Sequence, residues 1–342
     1  MILLPLRSFV SLLLSGGGGA DASGKGWGAA TGGLRIRGVI VIPEALAMTQ
    51  VEFNGEAGRE WIAALPGEAA AYLERWGLRL AGPSMHGVAS LVLPVERADG
   101  TPAALKLQLL DEESAGEAAA LRAWDGDCVV RLLEHDEASG AMLLERLDAG
   151  RHLSVLPDTM AAVRVLAELL VRLNAVAAPE GVRRLGDIAG AMLDDVPEAV
   201  KALADPAERR LLERCAGAVR EVVGEPGEQL LHWDLHYDNV LAPLVGSGRS
   251  EPWVVIDPKP LVGDPGFELL PALVNRFDEG QVLKRFDLMT EVLGLERGRA
   301  RAWTLGRVLQ NCLWELEDEE EGEGELMGEQ VAVARALLTL RG

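Results

Sequence analysis

Apolar residues recur along the chain at two different spacings, which divide it into a strand-bearing part and a helical part. Steps of three and four residues are typical of amphipathic helices. Such steps occupy residues 57–77, 159–176, 189–203 and 207–223. Residues 78–95 instead predict two strands joined by a glycine-bearing turn, and residues 103–107 predict a third strand. The pattern therefore predicts an α+β fold, with sheet first and helices after it.

The third predicted strand holds a lysine, Lys106, among apolar residues. A charge at such a position requires a partner. Glu113 and Glu117 follow in a segment that we expect to be an acidic helix, with both side chains on one face. We expect Glu117 to pair with Lys106, as in the kinase lysine–glutamate pair that leaves the ammonium on the α- and β-phosphates. A lysine on an edge strand is the alternative.

Residues 232–241, HWDLHYDNVL, set polar side chains directly before a predicted strand. Asp234 and Asn239 stand five residues apart, which is the spacing of a phosphoryl-transfer catalytic loop. Strands at 239–244 and 253–257 should form an antiparallel hairpin with Asn239 and Asp257 at its open end. Amide and carboxylate oxygens suit Mg²⁺, and a nearby carboxylate, Asp234, can accept a hydroxyl proton. The segment therefore indicates a kinase-like site.

Two other interpretations of this segment stay open. Asp and Asn before a strand are common turn residues that bond their own backbone. The alternation of His232, Asp234, His236 and Asp238 can also place metal ligands on one face of an extended segment, as in a zinc hydrolase. The remaining histidines of the chain all lie far upstream, so a zinc shell lacks further ligands.

The composition of the chain limits the classes of molecule that it is expected to bind. With 342 residues and 49% hydrophobic content, the chain can form two packed subdomains. A formal net charge of −20 disfavours nucleic acid or an anionic membrane as a partner and attracts a cationic small molecule. The three cysteines are widely spaced and set among apolar residues, which indicates buried thiols and a cytoplasmic protein. Nothing in the sequence demands an oligomer, so a monomer is expected by default.

The first forty residues differ from the rest. A short apolar run at 1–14 is followed by four glycines and a loose stretch of small residues, and it is too short to span a bilayer. We expect residues 1–40 to be a disordered extension or a misassigned start, with a signal peptide as the alternative. Residues 19–26 approach a phosphate-loop pattern but lack the Ser or Thr after Lys25, so we discount them.

The motif His232-x-Asp234-x-x-x-x-Asn239, followed by Ile256-Asp257-Pro258, resembles that of aminoglycoside phosphotransferases. The streptomycin 6-kinase group, also called the aminoglycoside/hydroxyurea antibiotic resistance kinases, is the most similar. Further similar stretches lie at 82–88, 117–124, 129–133, 143–147 and 263–267. The resemblance implies a protein-kinase-like two-lobe fold, with a small antiparallel-sheet N-lobe at 41–146 and a larger, mainly helical C-lobe at 147–342.

The resemblance also implies an activity, which is ATP-dependent transfer of the γ-phosphate to a hydroxyl of a cationic small molecule such as streptomycin. The cofactors would be ATP and Mg²⁺, with Asp234 catalytic and with Asn239 and Asp257 on the metal. Nucleotide contacts are expected from Lys106, Glu117, Gly87, Glu145 and Leu147. Gly87 lies in the predicted turn, where a backbone amide can approach phosphate. Glu145 and Leu147 would offer hinge backbone groups to adenine.

Acidic residues after the metal motif are candidates for holding a cationic substrate, namely Asp264, Glu268, Glu315, Glu317 and Asp318. Asp264 can instead brace its own segment through backbone contacts. Lys259 can neutralise charge on the transferred phosphoryl group or pair with Asp264. The acidic run at 317–325 is expected to be a solvated loop.

Two functional alternatives remain, because the motif specifies the phosphate donor and leaves the acceptor open. One is a kinase for another small metabolite, such as an amino alcohol or a sugar. The other is a catalytically silent nucleotide-binding protein, against which the presence of Lys106, Asp234, Asn239 and Asp257 argues.

Overall fold

The computed structural model describes residues 40–318 and 326–340. The expectations for the first forty residues, including the glycine-rich stretch at 19–26, and for most of the acidic run lie outside the described residues. The described residues divide into two compact units. One comprises residues 40–109 with Ala141–Leu143, and the other comprises Leu110–Gly140 with the residues from 144 onward.

The first unit opens with a long helix, α1 (Glu44–Arg75), which is kinked at Gly55. Its second half coincides with the helix predicted at 57–77, and its buried residues there recur every three or four positions: Trp61, Leu65, Ala69 and Tyr72. The first half was not predicted. Gly55 adopts φ 55° and ψ −123°, a conformation that glycine tolerates and that interrupts the helical pattern.

The sheet of this unit is antiparallel, as predicted. Its strands are β1 (Arg79–Leu80), β2 (Met85–His86), β3 (Ser90–Glu96), β4 (Pro102–Gln108) and the beginning of β6 (Met142–Glu145). β4 lies between β3 and β6, and Lys106 on β4 faces Val92 in the register with β3. Lys106 is buried. The edge-strand alternative for this lysine is therefore wrong, because β4 has a neighbour on each side.

The second unit is mainly helical, and the helices predicted at 159–176, 189–203 and 207–223 are confirmed to within a few residues. Its helices are α2 (Glu117–Trp124), α3 (Thr159–Leu173), α4 (Leu185–Ala202), α5 (Pro206–Val222), α6 (Leu270–Val274), α7 (Val282–Leu293), α8 (Arg297–Asp318) and α9 (Gly328–Thr339). Its strands are β5 (Leu132–His135), β7 (Leu147–His152), β8 (Gln229–Leu231), β9 (Val240–Pro243), β10 (Val254–Val255) and β11 (Leu261–Gly263). Among the described helices, none has an apolar stretch long enough to cross a membrane.

Residues 110–140 pack with the helical unit, although the sequence placed them in the N-lobe at 41–146. The Trp124 indole N–H donates to the Leu173 carbonyl at 3.0 Å, and Val130 N–H donates to the Val255 carbonyl at 2.8 Å. Glu113 also differs from expectation, because it lies in a turn and the helix begins only at Glu117. Both glutamates are nonetheless buried.

Candidate active site

The hairpin that was predicted around the motif is confirmed. β9 pairs with β10 in antiparallel register, with Val254 opposite Leu241 and Val255 opposite Val240. The ladder extends by one hydrogen bond, from Ile256 N–H to the Asn239 carbonyl at 2.9 Å. Asn239 and Asp257 consequently lie at the same end of the hairpin.

Asp234 is held on both sides by side chains of its own loop. Its backbone N–H donates to Nδ1 of His232 at 3.3 Å, and its carbonyl accepts from Nδ2 of Asn239 at 3.0 Å. These contacts fix both peptide groups of Asp234. A carboxylate on so constrained a backbone can be aimed at a reacting hydroxyl without further ordering.

His232 joins this loop to the segment that follows β10. Its Nε2 lies 3.0 Å from the Ile256 carbonyl, and the Lys259 N–H donates to the His232 carbonyl at 3.0 Å. The imidazole is completely buried, and this burial lowers the pKa of His232 to about 4. It is therefore a neutral ring that donates through Nε2 and accepts through Nδ1.

The zinc interpretation gains no support from these contacts. Both ring nitrogens of His232 are engaged by backbone groups, and Nδ1 of His236 accepts the Asp238 N–H at 3.2 Å to cap a short 3₁₀ helix, Tyr237–Asn239. Within residues 40–318 and 326–340, no group of three or more His, Cys, Asp or Glu side chains is disposed to hold a metal ion.

The donor set at the hairpin end fits magnesium. Because Nδ2 of Asn239 donates to the loop, Oδ1 is the atom of that amide that can serve as a ligand. Asp257 adopts φ 56°, a left-handed conformation that Asp tolerates better than most residues, and its side chain is 36% exposed. One amide oxygen and one carboxylate leave room for the waters and phosphate oxygens that Mg²⁺ retains.

Lys259 contacts Asp257, with Nζ 3.5 Å from Oδ2. Burial alone would lower the pKa of this lysine, but the carboxylates of Asp257, Asp234, Glu113 and Glu117 together raise it above its ordinary value. The ammonium therefore stays charged beside Asp257. Asp264, the other partner considered for Lys259, pairs with Arg299 through Nε at 2.6 Å.

Glu268 lies under the catalytic loop in the core. Its carboxylate accepts the backbone N–H groups of His232 and Trp233 and the side-chain amide of Asn174. Burial raises the pKa of Glu268 to about 7, although the three hydrogen bonds oppose this change. The side chain is fully buried, and its oxygens accept hydrogen bonds from protein donors. Its contacts therefore stabilise the loop that carries Asp234.

Asp264 and Glu315 also make contacts within the fold. Asp264 accepts the Gly266 N–H at 2.8 Å as well as Arg299, which matches the bracing alternative for this residue. Glu315 on α8 accepts the Met327 N–H at 3.1 Å and so ties α8 to the start of α9. Asp264, Glu268 and Glu315 were chosen for their place after the metal motif, and each makes contacts that hold segments of the protein together.

Two of the predicted nucleotide contacts use their backbone N–H within the protein. Gly87 lies in the predicted hairpin turn, where its N–H donates to the Ser90 carbonyl at 3.0 Å. Glu145 N–H donates to the Arg131 carbonyl at 3.0 Å, and the Glu145 carboxylate pairs with the buried Arg249. These backbone contacts involve only the N–H groups, and the nucleotide contacts of Gly87 and Glu145 stay predictions. Leu147 begins β7 and lies opposite Pro243 of β9.

An aromatic cluster that the sequence did not indicate surrounds Trp233, the residue before Asp234. The guanidinium carbons of Arg183 and Arg307 each lie 4.6 Å from the ring centroid of Trp233, and Trp314 meets the same ring edge-on at 6.1 Å. We call Arg183, Trp233 and Arg307 the Trp233 clamp. Its members are far apart in the sequence, so no local spacing could reveal them.

The helical unit also contains a cleft of about 390 Å³, a size suited to a small ligand. Four carboxylates line the cleft, and of these only Glu317 was a substrate candidate from the sequence: Glu112, Asp187, Asp195 and Glu317. Arg183 and Trp314 line it as well, and both also contact Trp233. Two of the cleft-lining side chains therefore contact Trp233, which is the residue directly before Asp234.

Comparison with known proteins gives consistent matches. The family described as aminoglycoside/hydroxyurea antibiotic resistance kinase matches residues 75–319. A hydroxyurea phosphotransferase of Kitasatospora aureofaciens is 62% identical over 310 residues, covering 90% of this chain and 89% of the relative. A streptomycin 6-kinase of Streptomyces glaucescens is 55% identical over 307 residues, covering 87% of this chain and 97% of the relative.

Among solved structures, an aminoglycoside phosphotransferase in a ternary complex with AMP-PNP and hygromycin B matches with a TM-score of 0.52 and 18% identity. The match covers 78% of this chain and 94% of that chain. At this identity the likeness concerns the fold, and the predicted α+β, protein-kinase-like fold class is confirmed.

Proposed function

This chain belongs to the aminoglycoside/hydroxyurea antibiotic resistance kinase family, and on that premise we propose that it transfers the γ-phosphate of ATP to a hydroxyl of an aminoglycoside of the streptomycin type. The observation that carries the proposal is the fixed Asp234 beside the Asn239 and Asp257 pair. The acceptor is inferred from the streptomycin 6-kinase relative and from the four carboxylates of the cleft.

In this mechanism Asp234 orients the acceptor hydroxyl and accepts its proton. Asn239 and Asp257 would hold Mg²⁺, which when bound neutralises charge on the phosphates. Lys259 adds a permanent positive charge beside Asp257. Lys106 and Glu117 remain proposed for the nucleotide phosphates. Because the transferred group is loosely bonded at the transition state, positioning and charge stabilisation supply most of the acceleration.

Replacing Asp234 tests the mechanism. We expect Asp234→Ala to lose more than about 99% of turnover while ATP still binds, since removal of a general base typically costs a factor of 10² to 10⁴. The matched control is Asp238→Ala, which removes an exposed carboxylate from the same motif and should remain active. Turnover is measured as acceptor-dependent ADP release, and ATP binding by calorimetry. Near-normal turnover of Asp234→Ala would contradict the assigned role.

We propose that the cleft receives the cationic groups of the acceptor. Asp194 and Asp195 are adjacent and both exposed on α4, but only Asp195 lines the cleft. Asp195→Asn should therefore raise KM for streptomycin, while Asp194→Asn, with the same change in net charge, should not. Equal KM values for the two variants would remove the cleft from the acceptor site.

A second candidate acceptor is hydroxyurea, because the relative with 62% identity is a hydroxyurea phosphotransferase. Acceptor-dependent ADP release with streptomycin, hydroxyurea, an amino alcohol and a sugar distinguishes these possibilities. ATP binding without turnover on any of them would support the catalytically silent alternative. A cytoplasmic monomer without nucleic-acid or membrane partners remains a prediction from composition.

A further inference from the structure

Trp233 immediately precedes the proposed catalytic residue and adopts a left-handed backbone conformation, with φ 67°. This conformation favours glycine, because a side chain there crowds the following carbonyl. The position nevertheless carries the largest side chain available, and its indole is almost completely buried. The ring must therefore make contacts that a glycine could not replace.

Those contacts form the Trp233 clamp. The two guanidinium groups lie at equal distances from the ring centroid, Arg183 from the segment before α4 and Arg307 from α8. Cations prefer the face of an indole, where the negative lobes of the ring quadrupole lie. Arg307 is fixed in addition by a hydrogen bond from Nη1 to Oε1 of Gln310 at 2.8 Å. The indole is consequently held by two separate elements.

Hydrogen bonds hold the backbone of the same residue and of the residue after it. Trp233 N–H donates to the Glu268 carboxylate at 2.8 Å, and the next N–H and carbonyl, those of Asp234, are bonded to His232 and Asn239. With the indole fixed as well, the peptide plane between residues 233 and 234 cannot turn independently. The clamp therefore adds a further restraint on the direction in which the Asp234 side chain leaves the backbone.

We propose that Trp233, whose indole contacts both Arg183 and Arg307, is a positioning residue that aims Asp234 during phosphoryl transfer. The proposal rests on the proposed kinase function. The clamp also joins the cleft to the catalytic loop, since Arg183 lines the cleft and stacks on Trp233. Arg307 lies close enough to interact electrostatically with Asp234 and Glu113, so the clamp also places a positive charge beside the proposed base.

The test compares two smaller side chains that differ in aromaticity. Trp233→Phe keeps a ring face for both guanidinium groups, whereas Trp233→Leu keeps only apolar volume. We expect Trp233→Phe to retain kcat within about threefold and Trp233→Leu to lose at least about tenfold. Tm should also fall further in Trp233→Leu, which loses the cation–π contacts, so kcat is measured well below both Tm values and per folded enzyme. KM for ATP and the ATP dissociation constant should be unchanged in both variants. A purely structural role would leave kcat per folded enzyme unchanged in both.

A second pair of variants changes an arginine of the Trp233 clamp and leaves the indole in place. Arg307→Lys keeps a cation over the ring, while Arg307→Met keeps comparable length without charge, so kcat should fall further in Arg307→Met. If the parent enzyme transfers phosphate but kcat is equal within each pair of variants, the positioning role of Trp233 is overturned and the kinase function stands. A parent enzyme that transfers phosphate to none of the acceptors would overturn the kinase function and the clamp together.

Discussion

The residues around Asp234 show how buried polar groups hold a reactive loop in one conformation. His232, Asn239 and Glu268 each bond backbone groups of the loop, and the indole of Trp233 adds its two cation contacts. The left-handed conformation of Trp233 costs about 1–2 kcal/mol. Two desolvated cation–π contacts of up to about 2 kcal/mol each can offset that cost. Strain at this position is therefore compatible with a stable fold.

His232 makes stability depend on pH. Its folded pKa of about 4 lies below its ordinary value of 6.5, because burial disfavours the charged ring. As the pH falls, His232 is protonated in the unfolded chain before it is protonated in the folded protein. The stability that the neutral ring contributes is therefore present above pH 6.5 and is lost as the pH falls toward 4. The expected loss is about 3 kcal/mol, at 1.36 kcal/mol per unit of pKa difference.

Urea unfolding between pH 7.5 and 4.5 measures this loss in the parent and in His232→Gln. The variant has no titrating group at this position, so its free energy of unfolding should fall less steeply below pH 6.5. All other ionisable groups are common to both proteins and cancel in the difference. Parallel pH profiles would show that His232 is not held neutral in the folded state.

At the scale of elements, local sequence patterns were sufficient to predict a helix or hairpin where the pattern lies entirely within that element. The β9–β10 hairpin and helices α3 to α5 were predicted because their apolar spacing and turn residues lie within short segments. The first half of α1 was missed because Gly55 breaks the helical pattern. Glu113 was placed on a helix by spacing alone, whereas the chain makes a turn there and buries the carboxylate.

The kink of α1 brings its two halves into close contact, which two glycines of the same helix can test. A Cβ added at Gly58 would lie 1.9 Å from the Gln50 carbonyl oxygen, whereas a Cβ at Gly67 would meet nothing within 4 Å. Gly58→Ala should therefore destabilise the fold by about 1–3 kcal/mol or more. Gly67→Ala should stabilise it by about 0.5–1 kcal/mol through helix propensity. Chemical denaturation measures both, and equal effects would mean that the kink is absent in solution.

At the scale of the whole molecule, the sequence predicted that Asn239 and Asp257 share one end of a hairpin, but it could not locate the parts assembled from distant segments. Arg183, Trp233 and Arg307 meet only through packing of the segments that carry them. The cleft likewise combines carboxylates from before α2, from α4 and from α8. Charge alone did not show which acids are buried, so Glu268 was named as a substrate candidate although its carboxylate bonds backbone groups in the core.

The net charge of −20 gives a prediction about the acceptor that depends on the molecule as a whole. Raising the ionic strength from about 0.01 to 1 M shortens the Debye length from about 30 to about 3 Å and screens the attraction between this charge and a polycation. KM for streptomycin should therefore rise by at least about threefold, since electrostatic steering raises the local concentration of a cationic substrate. Hydroxyurea is neutral and serves as the control, with a KM that should not change. Steady-state kinetics with both acceptors measures the two responses, and a salt-independent KM for streptomycin would show that the acidic field does not assist its binding.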